Sequence, residues 1–295
     1  SKGSILNFDK SSEILWKKNY YTKKEKKLSP YLFISNNEKF LVAADDLAKL
    51  YLINLQNGNL VWSKNNSSPF NSDIKFYKDR FFVVDSENIL RCYSIKSGEE
   101  IWNLKTEKLI IRSKKSLSIA IYKNLVFFNN TLGDISAVDV ETGQLKWQIS
   151  TQTSEIYSNS HSFEMSDLVI QNEKIYTSSN RGEFYSISTN DGVINWKQSI
   201  SSKLTPIILE NYILTITTDG YFSVIEKASG NLIRNTFIFN MFKEKKRKKI
   251  FATGFTIGNK NLYVTTNNGK LIVLDISSGK ILTYYGFGKN KISNP

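Results

Sequence analysis

The sequence predicts an all-β protein, a β-propeller whose blades are four-stranded antiparallel sheets. Three observations carry this prediction: a glycine-to-tryptophan phrase recurs along the chain, its copies are one blade apart, and short alternating strands fill the space between copies. We count six whole blades plus a half in the 295 residues, and we expect seven or eight in the complete protein. Residues 1–295 are predicted to form a single propeller domain that begins and ends within a blade.

The recurring phrase is a glycine followed four residues later by a tryptophan. The intact pairs are Gly58 and Trp62, Gly98 and Trp102, Gly143 and Trp147, and Gly192 and Trp196. An earlier, altered copy ends at Trp16, and two later copies end at Arg234 and Thr283, where the tryptophan is lost. Successive ends are 38 to 49 residues apart, which is the length of a propeller blade.

Each repeat has the same internal order of strands, which residues 124–147 illustrate. An apolar run at 125–128 is followed by a polar turn, an alternating strand at 135–140, a Thr-Gly turn and a last strand that reaches Trp147. A short stretch before each repeat supplies the innermost strand. No segment shows a sustained 3.6-residue period, so we expect no substantial helix.

The two residue types of the phrase have different predicted roles. A Thr-Gly or Ser-Gly pair suits a tight hairpin, because glycine adopts positive φ at little steric cost. The tryptophan lies on the outer strand, where it can cover the neighbouring blade and bury roughly 200 Å² of aromatic surface. The alternative is that these rings stack on a sugar or a quinone. A ligand needs only one or two rings, whereas one ring per blade is what radial repetition requires.

The chain is strongly basic, with 40 Lys and Arg against 27 Asp and Glu and a net charge of +13. Such a balance can attract nucleic acid or an anionic lipid surface. The lysines are spread along the whole chain, which indicates a compositional bias, and we expect no nucleic-acid partner. Two lysine-rich runs, residues 23–27 and 243–249, fall between one blade's last strand and the next blade's first, and we interpret both as solvated loops.

Candidate catalytic residues are few. The single histidine, His161, lies in a polar stretch, and the single cysteine, Cys92, lies among apolar strand residues; we expect a loop residue and a small core residue. Consecutive carboxylates on a strand point to opposite faces and would not share a substrate. The chain has no phosphate-binding or dinucleotide motif and no run of about 20 apolar residues that could cross a bilayer. We predict no catalytic residue, no cofactor and no metal site, and therefore a protein that is not an enzyme.

The glycine-to-tryptophan repeat resembles the quinoprotein-type (PQQ-like) propeller repeat, a family that includes quinone-dependent dehydrogenases and proteins without enzymatic activity. The dehydrogenases are roughly twice this length, and many carry a disulfide of adjacent cysteines, which one cysteine cannot form. A closer resemblance is to the BamB family, the propeller lipoproteins of the outer-membrane β-barrel assembly machinery. That resemblance covers the chain from Ser4 to about Pro295.

Two segments match positions at which the BamB family contacts the barrel-forming subunit. Where the family has Leu-x-Leu-Arg, this chain has Leu109, Ile111 and Arg112. Where the family has two acids, Glu164 matches one and Ser162 replaces the other. The resemblance implies a partner-binding site at the four matching positions, and an apolar run beside an arginine is also a plausible hot spot. The other interpretation of the first segment is an ordinary innermost strand.

The resemblance also implies a location and a partner. It implies a non-catalytic, monomeric scaffold at the periplasmic face of the outer membrane of a Gram-negative bacterium. Such a scaffold is anchored by an N-terminal lipid outside this sequence and binds the periplasmic domains of the barrel-forming subunit. The alternative, a pyrroloquinoline-quinone-dependent dehydrogenase, rests on the repeat type alone. A third hypothesis, a binder of anionic surfaces, rests on the charge and on residues 243–249.

Overall fold

The computed structural model describes residues 3–107, 115–151 and 163–288. The chain divides into two compact units, Ser1–Ser162 and Phe163–Pro295, which are described in turn. Within each sheet, strands that follow one another in the sequence pair antiparallel. The described residues form six four-stranded sheets and one two-stranded sheet, which confirms the predicted six blades and a half. The prediction of one domain over residues 1–295 stays a prediction.

The first unit contains the two-stranded sheet and three four-stranded sheets. In chain order the strands are β1 Ile5–Phe8 and β2 Ile14–Lys18; β3 Leu32–Asn36, β4 Phe40–Asp45, β5 Lys49–Asn54 and β6 Leu60–Asn65; β7 Lys75–Tyr77, β8 Arg80–Val84, β9 Ile89–Ser94 and β10 Glu100–Lys105; β11 Ile119–Tyr122, β12 Leu125–Asn129, β13 Asp134–Asp139 and β14 Leu145–Ser150.

The second unit contains three four-stranded sheets. Their strands are β15 Val169–Gln171, β16 Lys174–Ser178, β17 Phe184–Ser188 and β18 Ile194–Gln198; β19 Ile207–Ile208, β20 Tyr212–Ile216, β21 Tyr221–Glu226 and β22 Leu232–Phe237; β23 Ala252–Gly258, β24 Asn261–Thr266, β25 Lys270–Asp275 and β26 Ile281–Gly286.

The middle strands of the sheets are buried on both faces, whereas the outer strands are half exposed. Strands β4 and β5 are buried along most of their length, and β6 alternates between exposed and half-buried residues. This pattern is typical of sheets stacked face to face. The apolar cores agree with it, because each core joins two consecutive sheets, as where Val42 and Leu50 pack with Phe81 and Val83.

A β-bulge recurs at one point of the outer hairpins. In the first four-stranded sheet, Trp62 pairs with Leu52 and Leu60 pairs with Ile53, so Val61 is an extra residue. The same register shift stands immediately before Trp16, Trp102, Trp147, Trp196, Arg234 and Thr283. A bulge bends its strand and redirects the next side chain. The turn, the bulge and the tryptophan therefore form one repeating element.

The two lysine-rich runs were predicted to be solvated loops, but each of them contains a short helix. Helix α1 spans Lys23–Lys27 and helix α2 spans Glu244–Arg247, and neither contains a buried residue. A capping box starts α1: the Thr22 hydroxyl accepts from the Glu25 N–H, and the Glu25 carboxylate accepts from the Thr22 N–H at 2.8 Å. The capping box stabilises the first turn of α1, which forms despite the repulsion between its lysines. Neither helix is long or apolar enough to cross a bilayer, and the described ranges contain no other helix.

A buried ion pair joins β9 to the turn before it in the first unit, and its arginine also contacts β10. The guanidinium of Arg91 lies 2.8 Å from the carboxylate of Asp85 and 2.6 Å from that of Glu100. Asp85 has no exposed surface, and Arg91 is 8% exposed. Asp85 also accepts the N–H groups of Glu87 and Ile89 at its turn. Its buried charge is thus compensated on both oxygens.

Candidate partner-binding surface and blade seams

Four tryptophans lie at the joints between consecutive blades of the same unit: Trp16, Trp62, Trp102 and Trp196. The Nε1–H of Trp62 donates a 2.9 Å hydrogen bond to the carbonyl of Ile95, three residues before Gly98 of the next blade. Trp16, Trp102 and Trp196 make the corresponding bonds to Leu55, Val140 and Lys227 at 2.9, 3.2 and 3.1 Å. These four indole rings are hydrogen-bonded to the neighbouring blade, where the sequence analysis predicted that they would pack.

In four of the phrases the glycine makes room for the tryptophan of the preceding blade. Gly98 has a φ of +67°, and a Cβ placed on it would lie 2.9 Å from the indole ring of Trp62. Gly58, Gly143 and Gly230 face Trp16, Trp102 and Trp196 in the same way. The glycine that shapes each of these hairpins therefore also contacts the tryptophan of the preceding blade.

Arg234 takes the place of the tryptophan in the seam between the last two blades of the second unit. Its guanidinium donates to the carbonyls of Ile276 and Ser277, and Ile276 is again three residues before the glycine, Gly279. The guanidinium also lies 5.3 Å from the centre of the Phe222 ring. A planar cation with several donors can therefore replace an indole. The replacement is imperfect, since its buried Nε has no hydrogen-bond partner among the described residues.

Three of the four predicted partner-binding residues, Leu109, Ile111 and Arg112, lie outside the described residues. His161 and Ser162 also lie outside them. The structure does describe both ends of the connection that carries the first three, between β10 and β11. Glu164, the fourth residue, is described.

The first end of this connection is held by buried polar groups. The Nδ2 of Asn88 donates to the carbonyl of Glu107 at 2.7 Å and to the hydroxyl of Thr131 at 2.8 Å. In return the carbonyl of Asn88 accepts from the N–H and the hydroxyl of Thr106, at 3.2 and 3.1 Å. Asn88 has no exposed surface. The chain is therefore fixed as far as Glu107.

The second end is fixed through the neighbouring sheet. Leu117 is 3% exposed, its N–H donates to the carbonyl of Asn71 at 2.8 Å, and its carbonyl accepts from the N–H of Asp73 at 3.0 Å. Strand β11 follows at once and is the first strand of its sheet, at one edge. This is the place in the repeat that the alternative interpretation gave to residues 109–111. The connection therefore starts and ends on rigid structure.

Glu164 is part of an ion pair. Its carboxylate lies 3.2 Å from the Nζ of Lys203, and its side chain is only 12% exposed. Its backbone is held by Asn180, which accepts from the Glu164 N–H at 3.1 Å and donates to its carbonyl at 2.9 Å. The Nζ of Lys203 also lies 5.4 Å from the ring centre of Phe251, which is 40% exposed. This surface presents a cation over an aromatic ring beside the acid, a combination that no sequence pattern indicated.

Cys92 is a core residue, as predicted. It is free and fully buried, and burial raises the pKa of its thiol to about 12. A thiol with such a pKa is not a nucleophile at neutral pH. Within the described ranges, no group of three or more His, Cys, Asp or Glu side chains is arranged to hold a metal ion.

The family model for the outer membrane protein assembly factor BamB matches residues 1–236 of this chain. The chain belongs to the BamB family. The match covers well over half of the chain and includes the blades that carry the five tryptophans. It confirms the resemblance that the glycine-to-tryptophan repeat indicated.

Two BamB relatives show how far the family has diverged. BamB from Legionella pneumophila (strain Paris) is 21% identical over 226 residues, which cover 72% of this chain and 52% of the relative. BamB from Yersinia pestis is 22% identical over 109 residues, which cover 36% of this chain and 28% of the relative. The chain thus spans about half the length of the first relative and a smaller part of the second.

A solved BamB structure has the same fold. The crystal structure of BamB from Moraxella catarrhalis matches with a TM-score of 0.78 at 16% identity and covers 99% of this chain and 85% of that one. At this identity the likeness shows the fold alone, and it confirms the prediction of a β-propeller with four-stranded antiparallel blades.

Proposed function

We propose that this BamB-family chain is a non-catalytic scaffold of the outer-membrane β-barrel assembly machinery and binds the periplasmic domains of the barrel-forming subunit. The family match over residues 1–236 is the observation that supports this most strongly. In the proposal, residues 1–295 form one propeller domain that acts as a monomer. It works at the periplasmic face of a Gram-negative outer membrane, held by an N-terminal lipid outside this sequence.

The anchored connection between β10 and β11 supports a docking site at Leu109, Ile111 and Arg112. Binding is costly when a loop must be ordered first, and here Glu107 and Leu117 are already held by hydrogen bonds on either side. Two apolar side chains with an arginine have the composition of an interface hot spot. The proposed site therefore combines suitable chemistry with a rigid base.

Glu164 has a smaller part in the proposed site than Arg112. Its charge is already compensated by Lys203 at 3.2 Å, so a cation of the partner would have to compete with that lysine. We expect the partner to meet Glu164, Lys203 and Phe251 together. Replacing Glu164 with glutamine should then weaken binding by less than about 1 kcal/mol, the scale of a partly exposed ion pair.

Reversing the charge of Arg112 tests the docking site. In isothermal titration calorimetry with the isolated periplasmic domains of the barrel-forming subunit, Arg112→Glu should weaken binding by at least roughly 30-fold, since a hot-spot residue contributes about 2 kcal/mol or more. The control is Lys96→Glu, which makes the same charge change at an exposed position of the β9–β10 hairpin. Equal affinities for Arg112→Glu and the unchanged protein would remove the proposed site.

The non-catalytic part of the proposal is tested separately with the cofactor of the dehydrogenase alternative. The indole N–H groups of four tryptophans are already bonded to backbone carbonyls and are not free to bind such a cofactor: Trp16, Trp62, Trp102 and Trp196. We expect that adding pyrroloquinoline quinone and calcium changes neither the absorbance nor the melting temperature. A new absorbance band with a higher melting temperature would favour the dehydrogenase.

A further inference from the structure

The connection between β2 and β3 places two exposed apolar side chains beside a lysine cluster. Leu28 is 65% exposed and Tyr31 is 64% exposed. The four lysines of helix α1 immediately precede them: Lys23, Lys24, Lys26 and Lys27. We call residues 23–31 the basic protrusion. Leu28 and Tyr31 are three residues apart in the chain, and clustered exposed apolar side chains are typical of an interaction site.

The basic protrusion is held rigidly, so its apolar side chains cannot fold back into the core. Tyr21, just before it, is 5% exposed and donates its hydroxyl proton to the buried carboxylate of Asp45. At the other end Pro30 is buried. The N–H of Tyr31 donates to the carboxylate of Asp46 at 2.8 Å, and its carbonyl accepts from the Asp46 N–H at 3.3 Å. The exposure of Leu28 and Tyr31 therefore follows from the way in which the fold holds both ends of the segment.

The charge of the basic protrusion is positive and available. Its one acid, Glu25, forms an ion pair with Lys49 and accepts the N–H of Thr22. The structure gives none of the four helix lysines an ion-pair partner among its described residues. Lys23, Lys24 and Lys27 are exposed and Lys26 is half-buried, so the segment carries a concentrated positive charge next in the chain to Leu28 and Tyr31.

The side-chain chemistry favours a lipid surface over a protein or a nucleic acid. Lysine is depleted from protein interfaces, and arginine is the residue that recognises carboxylates and phosphates with paired hydrogen bonds; this cluster contains no arginine. Single-stranded nucleic acid is bound in basic grooves lined with several stacking rings, whereas residues 23–31 contain a single aromatic ring, that of Tyr31. Lysines around a leucine and a tyrosine match the membrane interface, where tyrosine is enriched and anionic headgroups attract lysine.

We propose that the basic protrusion docks on an anionic bilayer surface. Leu28 and Tyr31 enter the headgroup layer, and the lysines of α1 lie at the lipid phosphates. Each lysine at such a surface should raise the partition coefficient roughly fivefold. The two apolar side chains should together contribute roughly tenfold as about half of their area leaves water. This contact is independent of the proposed binding of the barrel-forming subunit.

Vesicle flotation tests this with phosphatidylcholine alone and with phosphatidylcholine mixed with phosphatidylglycerol. The chain should float only with the mixed vesicles, and binding should fall as salt is added, because salt screens exposed charges. The double variant Leu28→Ser, Tyr31→Ser should bind roughly tenfold more weakly at unchanged net charge.

A set of lysine variants separates the protrusion from the general basic character of the chain. Replacing the four α1 lysines with glutamine should weaken binding roughly 100-fold or more. The control replaces the same number of exposed lysines elsewhere: Lys10, Lys39, Lys96 and Lys260. The control variant should lose far less of its binding to the mixed vesicles. Arginines at the four α1 positions should keep the binding and so show that its loss is due to charge. Circular dichroism should be the same for all variants.

Three results would overturn the proposal. The first is an absence of binding to the mixed vesicles at low salt. The second is an equal loss in the α1 and control variants with no effect of removing Leu28 and Tyr31, which would assign binding to the net charge of +13 alone. The third is retention of an oligonucleotide or an acidic protein through these lysines without any vesicle binding.

Discussion

Replacing Gly98 with alanine should loosen the seam between two blades for two separate reasons. At a φ of +67° an alanine costs about 1–2 kcal/mol of backbone strain. Its Cβ would lie 2.9 Å from the ring of Trp62. The indole cannot easily retreat, because it donates to Ile95 at 2.9 Å and stacks on Phe81 with 6.3 Å between ring centres. Forcing it to move should cost about 1–3 kcal/mol more.

The two contributions separate in a double-mutant cycle. In a Trp62→Ala background the clash is absent, so Gly98→Ala should cost only the backbone strain, about 1–2 kcal/mol. With the tryptophan present the same substitution should cost about 2–5 kcal/mol. The coupling energy between the two sites is then about 1–3 kcal/mol, well above the few tenths expected for independent sites.

Urea unfolding followed by far-ultraviolet circular dichroism measures the four stabilities. Comparison of the unfolding midpoints at similar slopes gives the free-energy differences. Additive effects of Gly98→Ala and Trp62→Ala would show that the glycine and the ring do not pack on each other. That result would refute the account of the seam as one contact shared by both residues.

Three more predictions concern side chains near the seams. Arg91→Met should lower stability by about 3 kcal/mol in the same urea assay, because it leaves the buried Asp85 charge without its partner; an unchanged midpoint would show that the pair does not matter. Cys92, with its pKa raised to about 12, should react with a thiol reagent at neutral pH only after unfolding in urea, and rapid labelling of the native protein would contradict its burial. Arg234→Trp should hold or raise the melting temperature, because an indole N–H can donate to the Ile276 carbonyl that the guanidinium now contacts; a clear loss of stability would mean that the arginine is not a tryptophan substitute.

The blades could be predicted from the sequence because their signals are local. Alternation of apolar residues and the turn before Gly143 are visible within one repeat, and the repeat supplies seven copies of the evidence. The recurring bulge before Trp62 could not be predicted, since a strand with one extra residue still alternates on either side of it. The helix at 23–27 could not be predicted from its like charges, and the capping box of Thr22 and Glu25 is the only local signal for it.

The candidate site was less predictable because it depends on contacts between blades. Nothing in the sequence connects Glu164 with Lys203, which pairs with the acid, or with Phe251, whose ring Lys203 covers. The role of Asn88 in holding Glu107 is hidden for the same reason. The assignment of Leu109 to Arg112 to partner binding rests on the family resemblance and remains a prediction.

Site-specific photocross-linking in the native bacterium tests the central proposal most directly. A photoreactive amino acid at position 111 should cross-link to the barrel-forming subunit of the assembly machinery. The same group at Ile233, which is 55% exposed on an outer strand, should not. Cross-links from position 111 to other proteins alone, or equal cross-linking from both positions, would contradict the proposed docking surface.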